Sequence, residues 1–393
     1  MQKTYGELNP SSRVLLGPGP SNVHPRVLDA LSKPLLGHMD PEFLEILNEV
    51  NELLQFVFQT KNKLTIAVSA TGSAGMEACF VNSVEHGDNV LVCVNGVFGK
   101  RMCDVAERCG ANVTRVEAEW GRSIDAEDVR RALKKGKFKL VAIVHAETST
   151  GVRQPIEEIS RLAHDNGALL LMDAVTSLGG IAVKLDEWEV DLCYSGTQKC
   201  LSCPPGLSPI SFSPRAMDAI HKRKAKVQSW YLDMTMVEQY WGKDRVYHHT
   251  APVSMIYALR ESLRIIQEEG LRQRFERHYV NHHALETGLK TLGIDFFAED
   301  GRRLPMLNAV TIPKGIDDLK IRRRLLSKYG IEIGGGLGPN KGQIWRIGLM
   351  GHSSRKENVI LVLNALEEAL NMEGAKFPEG SAAQAAEGVF SNV

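Results

Sequence analysis

A chain of 393 residues is longer than one hydrophobic core usually holds, so two domains are expected. Its 47 Lys and Arg balance 47 Asp and Glu, which removes the field that would draw the whole surface to nucleic acid or to an anionic membrane and leaves small neutral or zwitterionic partners. No apolar run approaches the roughly 20 residues of a membrane span, and the seven cysteines, an odd number scattered through apolar segments, suit a reducing compartment better than a disulfide framework.

Residues 1–16 read as a polar arm without periodicity. No basic stretch there leads into an apolar signal core, so a cytoplasmic location is the expectation. Gly17-Pro-Gly-Pro-Ser21-Asn22 follows as a stiff, kinked turn before a helix near Pro25–Ser32. Over residues 41–59, Phe43, Leu47, Val50, Leu54, Val57 and Phe58 recur at helical spacing with acids outside, which predicts an amphipathic helix. Leu64–Val68 reads as a strand, and Ser69-Ala-Thr71-Gly72-Ser73-Ala-Gly75 runs straight into a helix. The unpaired N–H groups and positive dipole of such a helix start bind a phosphate, with Thr71, Gly72 and Ser73 as donors. The GK[ST] of a Walker loop is absent, and any strand-to-helix turn could look similar.

Asn89–Val94 predicts a second strand, followed by a turn in which Phe98 stands between Gly96 and Gly99 and could simply cap the core. Lys139–His145 is a third strand, running into Ala146-Glu-Thr148-Ser-Thr-Gly151; His145 fits a core position as well as a site. A helix over 155–166 returns the chain to the apolar run Ala168–Met172, a buried parallel strand that ends at Asp173. Asp173 could cap the segment after it. Strands alternating with helices over 64–213 call for a mainly parallel sheet wrapped on both faces, an α/β fold.

The stretch Tyr194–Pro205 concentrates the chemistry. It follows a short apolar strand and precedes a Pro-Pro-Gly turn, so Lys199 falls on a loop at a strand's C-terminal end, where α/β sheets carry their sites. Asp173 ends the neighbouring strand. A strand-end lysine beside a strand-end carboxylate is what pyridoxal 5′-phosphate needs: the amine forms the Schiff base, and the carboxylate keeps the pyridine nitrogen protonated. Cys200-Leu-Ser-Cys203 is formally a C-x-x-C, and a metal or redox module built on it is the reading from a different functional class. No second pair accompanies it, so no metal is expected.

Leu207–Phe212 is the next strand, His221–Lys226 a basic run expected to be a solvated face, and Trp230–Trp241 an irregular aromatic stretch. Tyr247-His-His-Thr250 precedes a helix over Val253–Glu269; its adjacent histidines point apart on an irregular segment and do not form a metal pair. From residue 270 the pattern changes to helices with strands near 294–297, 308–312 and 344–347, a separate small α+β domain. Arg346 lies inside an apolar strand and needs an anionic partner, either a structural carboxylate or a ligand. After Phe377 the small, polar tail is expected to fray. Its Ser-Asn-Val ending is not a peroxisomal tripeptide.

With these motifs in place, the chain resembles the class V, fold-type I aminotransferases, most closely those of the alanine:glyoxylate type, over residues 14–370. The resemblance implies a pyridoxal phosphate domain over 17–269 and a small C-terminal domain over 270–372, to which composition adds the arm 1–16 and a flexible tail over 373–393. It makes Lys199 and Asp173 catalytic and adds Phe98, Val175 and Gln198 as cofactor contacts, with phenylalanine where the family commonly stacks tryptophan on the ring. It gives Ser21, Asn22, Thr148 and Arg346 to the substrate, Arg346 as the clamp on its α-carboxylate and Thr148 reaching either the substrate carboxylate or the cofactor's ring hydroxyl. Tyr247 and Thr250 would reach a partner subunit's phosphate, so a homodimer with shared sites is implied. Small amino acids and 2-oxo acids follow as substrates, with alanine or serine as donor to glyoxylate and 3-hydroxykynurenine or serine:glyoxylate transamination as the nearby alternative. A desulfurase or lyase would need a mobile cysteine loop, and no cysteine stands in one.

Overall fold

The computed structural model describes residues 4–391, so the first residues of the arm and the final Asn-Val lie outside it. Seven strands form one sheet in the order Leu64–Val68, Ser208–Phe212, Leu192–Tyr194, Leu169–Asp173, Leu140–Val144, Asn89–Val94, Asn112–Glu117. Ser208–Phe212 runs antiparallel to both neighbours and the other pairs are parallel. The central strands Leu140–Val144 and Leu169–Asp173 are buried along their whole length and apolar but for the terminal Asp173, because helices cover both faces and leave no solvated side to demand alternation. Pro41 and its cap Asp40 start the helix Pro41–Phe58, whose Phe43, Leu47, Val50, Leu54 and Phe58 face this core.

A second core gathers Leu16, Leu285, Leu289, Ile321, Leu325, Trp345, Leu363 and Leu366. Its sheet joins Leu307–Thr311, Ile344–Gly348 and Gly334–Gly335; the strand expected near 294–297 is reduced to a single bridge from Phe296 to Val310. The end of the polar arm joins the fold: Val14–Leu15 pairs in parallel with Ile331–Glu332, and Leu16 is buried in the second core. One sequence expectation is corrected here. The tail does not fray after Phe377: Ser381–Phe390 is a helix that buries Ala382 and Ala386. Small residues make that contact possible, because a Cβ at Gly288 would stand 2.8 Å from the Ala382 carbonyl. Glu367 then caps the helix, accepting from the amides of Gly380 at 2.6 Å and Ala382 at 3.0 Å. Among the described residues no helix is long and apolar enough to cross a membrane.

Candidate active site

Strand register brings the chemistry together. Asp173 stands opposite Tyr194 across the parallel pair, and the loop after Tyr194 carries Lys199 back over the same sheet edge. Its course is fixed by hydrogen bonds from Ser195 Oγ to the Ala174 carbonyl at 3.0 Å, Ser208 Oγ to the Ser195 carbonyl at 2.7 Å and Thr197 Oγ1 to the Pro204 carbonyl at 2.7 Å. Ser202 holds a φ of 53°, a left-handed conformation costly for serine; its hydroxyl, 3.0 Å from Ser21 Oγ and accepting from the His352 amide at 2.8 Å, holds it there.

Lys199 is 9% exposed, and its amine donates to the Pro18 carbonyl. A Cβ at Gly19 would lie 2.7 Å from Nζ, and the φ of 105° there is one that favours glycine, so the turn passes close beside the amine. Burial, then the Arg346 guanidinium, brings the amine down to about 8, where an appreciable fraction is the neutral nucleophile near neutral pH. Burial pushes the Asp173 carboxyl up to about 7 against the pull of two donors, Tyr194 Oη at 2.6 Å and the Val175 amide at 2.8 Å.

Beside this pair the helix Gly72–Ser83 begins at Thr71, whose side chain makes no cap; the Ala74 amide turns back to the Thr71 carbonyl at 2.8 Å, and the Gly72 and Ser73 amides are left as donors. A Cβ at Gly72 would meet the Ser195 carbonyl at 3.4 Å, Gly196 Cα at 3.5 Å and Val175 Cγ2 at 3.7 Å, which places the helix start against the lysine loop. Gln198 lies on that loop next to Gly196, and Thr71 and Ser73 are exposed at its mouth. Phe98 is half-buried in the first turn of the helix Val97–Arg108.

On the other side, Arg346 is 6% exposed in its strand. Nε donates to the Gly335 carbonyl at 2.8 Å and Nη1 makes a long 3.4 Å contact to the Thr148 carbonyl. No carboxylate pairs with it among the described residues, which removes the structural ion pair as its explanation, and burial lowers it to about 10. Thr148 Oγ1 lies 2.5 Å from Thr176 Oγ1. Glu147, not singled out from the sequence, is fully buried and accepts from the amides of Phe98 at 3.1 Å, Gly99 at 3.3 Å and Ser149 at 3.0 Å, locking the Thr148 loop to the Phe98 helix. Its Glu-x-Ser spacing was the available signal.

Some expected residues stand elsewhere. Ser21 Oγ donates to the Lys199 carbonyl at 2.8 Å, and the Asn22 amide group accepts from Leu15 N at 2.8 Å and donates to the Arg13 carbonyl at 2.9 Å. Both side chains are thus committed to holding the turn, and the Pro18 carbonyl is what the turn presents to Lys199. Tyr247 is 59% exposed and Thr250 is exposed, on the segment expected to serve a partner subunit. His249 Nε2 lies 3.0 Å from Ser69 Oγ, linking that segment to the phosphate-type loop. His145 is a core residue, packed edge-on to Trp188 and pushed down to about 3 by burial. Cys200 and Cys203 are buried free thiols; burial pushes Cys200 up to about 12 and Cys203 up as well, the opposite of a reactive thiolate. A cavity of about 550 Å³ borders Leu201 and Ser202 but not Lys199, and Arg274 and Arg277 in its wall are already held by Glu269.

Comparison with known proteins agrees with this geometry. The family model described as aminotransferase class-V matches residues 13–351. An alanine–glyoxylate aminotransferase of Drosophila melanogaster is 43% identical, covering 91% of this chain and 92% of its own. Among solved structures, a ureidoglycine–glyoxylate aminotransferase from Bacillus subtilis superposes with a TM-score of 0.97 at 45% identity, covering 98% of this chain and 100% of its own. An alanine–glyoxylate aminotransferase from Nostoc sp. gives 0.92 at 49% identity over 94% and 98%. With a buried lysine and aspartate on adjoining strand ends and an unpaired arginine facing them, the chain belongs to the class V aminotransferases.

Proposed function

We propose that this chain uses pyridoxal 5′-phosphate to move the amino group of alanine, and of serine, to glyoxylate. The observation that carries the reading is the buried Lys199 amine, held near 8 between Asp173 and an Arg346 that has no carboxylate of its own. The residues present fit the cofactor: the helix start lies beside the lysine loop, where a Cβ on Gly72 would just touch it, and the Gly72 and Ser73 amides are left for a phosphate. Thr71, Gly72, Ser73 and Gln198 would hold that phosphate, Phe98 and Val175 the ring faces, Thr148 the ring hydroxyl side and Asp173 the ring nitrogen. When bound, the cofactor supplies an electron sink for the amino acid's Cα. Lys199 Nζ then takes the Cα proton as base and returns a proton as acid. Arg346 holds the α-carboxylate with the donors its two carbonyl contacts leave free.

Among Ser21, Asn22, Thr148 and Arg346, the residues this reading gives to the substrate, Arg346 is the one cation, so aspartate and glutamate are poor donors. A second donor is favoured by a specific observation: an (S)-ureidoglycine–glyoxylate transaminase of Bacillus subtilis is 43% identical over 98% of this chain. Single-turnover conversion of the loaded enzyme with alanine, serine, glutamate, (S)-ureidoglycine and 3-hydroxykynurenine, each measured by absorbance, tests the choice. Alanine fastest supports the first reading; (S)-ureidoglycine or 3-hydroxykynurenine well above alanine replaces it, and a preference for glutamate refutes the pocket.

The same reading makes the active species a homodimer. Tyr247 is exposed, packed on His38, beside a Trp230 that is 60% exposed and stacked on His248 at 4.5 Å, an aromatic surface suited to burial by a second copy. Tyr247 and Thr250 would complete the partner's phosphate site. Full activity in a monomer at assay concentration, measured by sedimentation, would contradict it.

A further inference from the structure

Asp173 has a partner that neither the sequence motifs nor the proposed mechanism uses. Tyr194 is fully buried at the end of its strand, directly opposite Asp173, and its hydroxyl donates to Asp173 Oδ2 at 2.6 Å. The other oxygen, Oδ1, receives the Val175 amide at 2.8 Å. Each carboxylate oxygen therefore has one protein donor and keeps acceptor capacity for a third group. Other charged groups acting on Asp173 are Glu147, which raises its pKa, and Lys199, which lowers it. Burial and the nearby carboxylate hold the Tyr194 phenol far above its ordinary range, so it serves as a donor and never as a competing anion. Its main-chain end is fixed too: a Cβ at Gly75, in the first turns of the phosphate-side helix, would lie 3.1 Å from Tyr194 Cβ.

We propose that Tyr194 is a positioning residue that keeps Asp173 an oriented carboxylate and so sets how far the proton shared with the cofactor's ring nitrogen stays on that nitrogen. This rests on the pyridoxal phosphate reading of the site. A charge-assisted hydrogen bond of this length makes the carboxylate a weaker base. Without it, the shared proton moves toward the aspartate oxygen and the ring loses part of its pull on electrons. The bond runs through Asp173, so its effect requires a carboxylate at that position.

The test is a double-mutant cycle of Tyr194→Phe and Asp173→Asn on the holoenzyme, reading kcat, KM, the pH titration of the bound cofactor's visible absorbance and the cofactor dissociation constant. Phenylalanine keeps the ring in its packing and removes only the hydroxyl. Tyr194→Phe is expected to lower kcat about tenfold with an unchanged KM for the amino donor, and to move the absorbance titration by roughly one pH unit. Both effects should vanish in the Asp173→Asn background. The same effects in both backgrounds, or no shift of the titration in the Tyr194→Phe single variant, overturn the inference. If Asp173→Asn itself leaves absorbance and cofactor affinity untouched, the cofactor reading fails along with it; if Asp173→Asn alters both while Tyr194→Phe alters neither, the failure is confined to Tyr194.

Discussion

Replacing Lys199 by methionine is expected to make the cofactor-free protein more stable at neutral pH while removing its activity. The lysine is nearly buried, and its amine is depressed from 10.5 to about 8, chiefly by desolvation and then by Arg346. At 1.36 kcal/mol per pKa unit, keeping that amine costs about 3 kcal/mol at pH 7. The sign follows from proton counting. Between about 8 and 10.5 the unfolded chain binds the proton and the folded chain does not, so stability rises with pH across this window. The cost is complete below about 8 and has fallen to less than about 1 kcal/mol at pH 10. Methionine fills a similar volume with no charge, at the expense of the Pro18 carbonyl's donor, about 1 kcal/mol that does not vary with pH. The net gain is then about 2 kcal/mol at pH 7 and is absent near pH 10. Urea unfolding of both cofactor-free proteins at the two pH values, at one fixed protein concentration, measures it. A variant less stable than the parent at pH 7, or a difference that is the same at both pH values, refutes the account of Lys199 as a strained base.

The rate at which the cofactor-free chain captures pyridoxal phosphate should rise with pH and level above about 8, as the neutral amine becomes the major form; stopped-flow absorbance that levels only above pH 10 would exclude a depressed lysine. Arg346→Lys should raise KM for amino and oxo acid by about 10- to 100-fold through loss of two-point contact, with kcat changed less; an equal loss with an amine lacking a carboxylate would remove the clamp. Ala386→Glu, at a fully buried position of the terminal helix, should cost about 2 kcal/mol or more in urea unfolding, and no change would mean that the helix contributes nothing to the second core.

Much of the large domain was legible because its signals are local. Leu64–Val68, Asn89–Val94 and the helix Val253–Glu269 have the bounds their sequences predict, each being a long, uninterrupted pattern. Asp173 and Lys199 were legible for the same reason, each terminating or following an apolar strand. The arm and tail were not. Val14–Leu15 is too short to show a period and finds its partner at Ile331–Glu332, at the far end of the chain. In the tail, the alanines and glycine that suggest a loose segment are what let the helix Ser381–Phe390 approach Gly288, and its cap comes from Glu367 on another helix.

Within the site the residues were legible but their partners were not, for a related reason: the groups that define their chemistry are often main-chain ones. Lys199 donates to the Pro18 carbonyl, and Arg346 to those of Gly335 and Thr148. A carbonyl satisfies a hydrogen bond but brings no negative charge, so neither cation is paired, and burial lowers both, helped at Lys199 by Arg346 and at Arg346 by Arg322; the nearby acids Asp173 and Glu147 offset this only in part, Glu147 being engaged by the amides of Phe98, Gly99 and Ser149. Had either cation been paired with a carboxylate, its charge would have been neutralised within the fold, and Lys199 would have been held protonated and unreactive. In the proposed reaction the counter-charge comes from the reactants, a phosphate at the Gly72 helix start and an α-carboxylate at Arg346. In that reaction the positive charge that is costly in the protein alone becomes binding energy for two anions, one met by helix-start amides and the other by the Arg346 guanidinium.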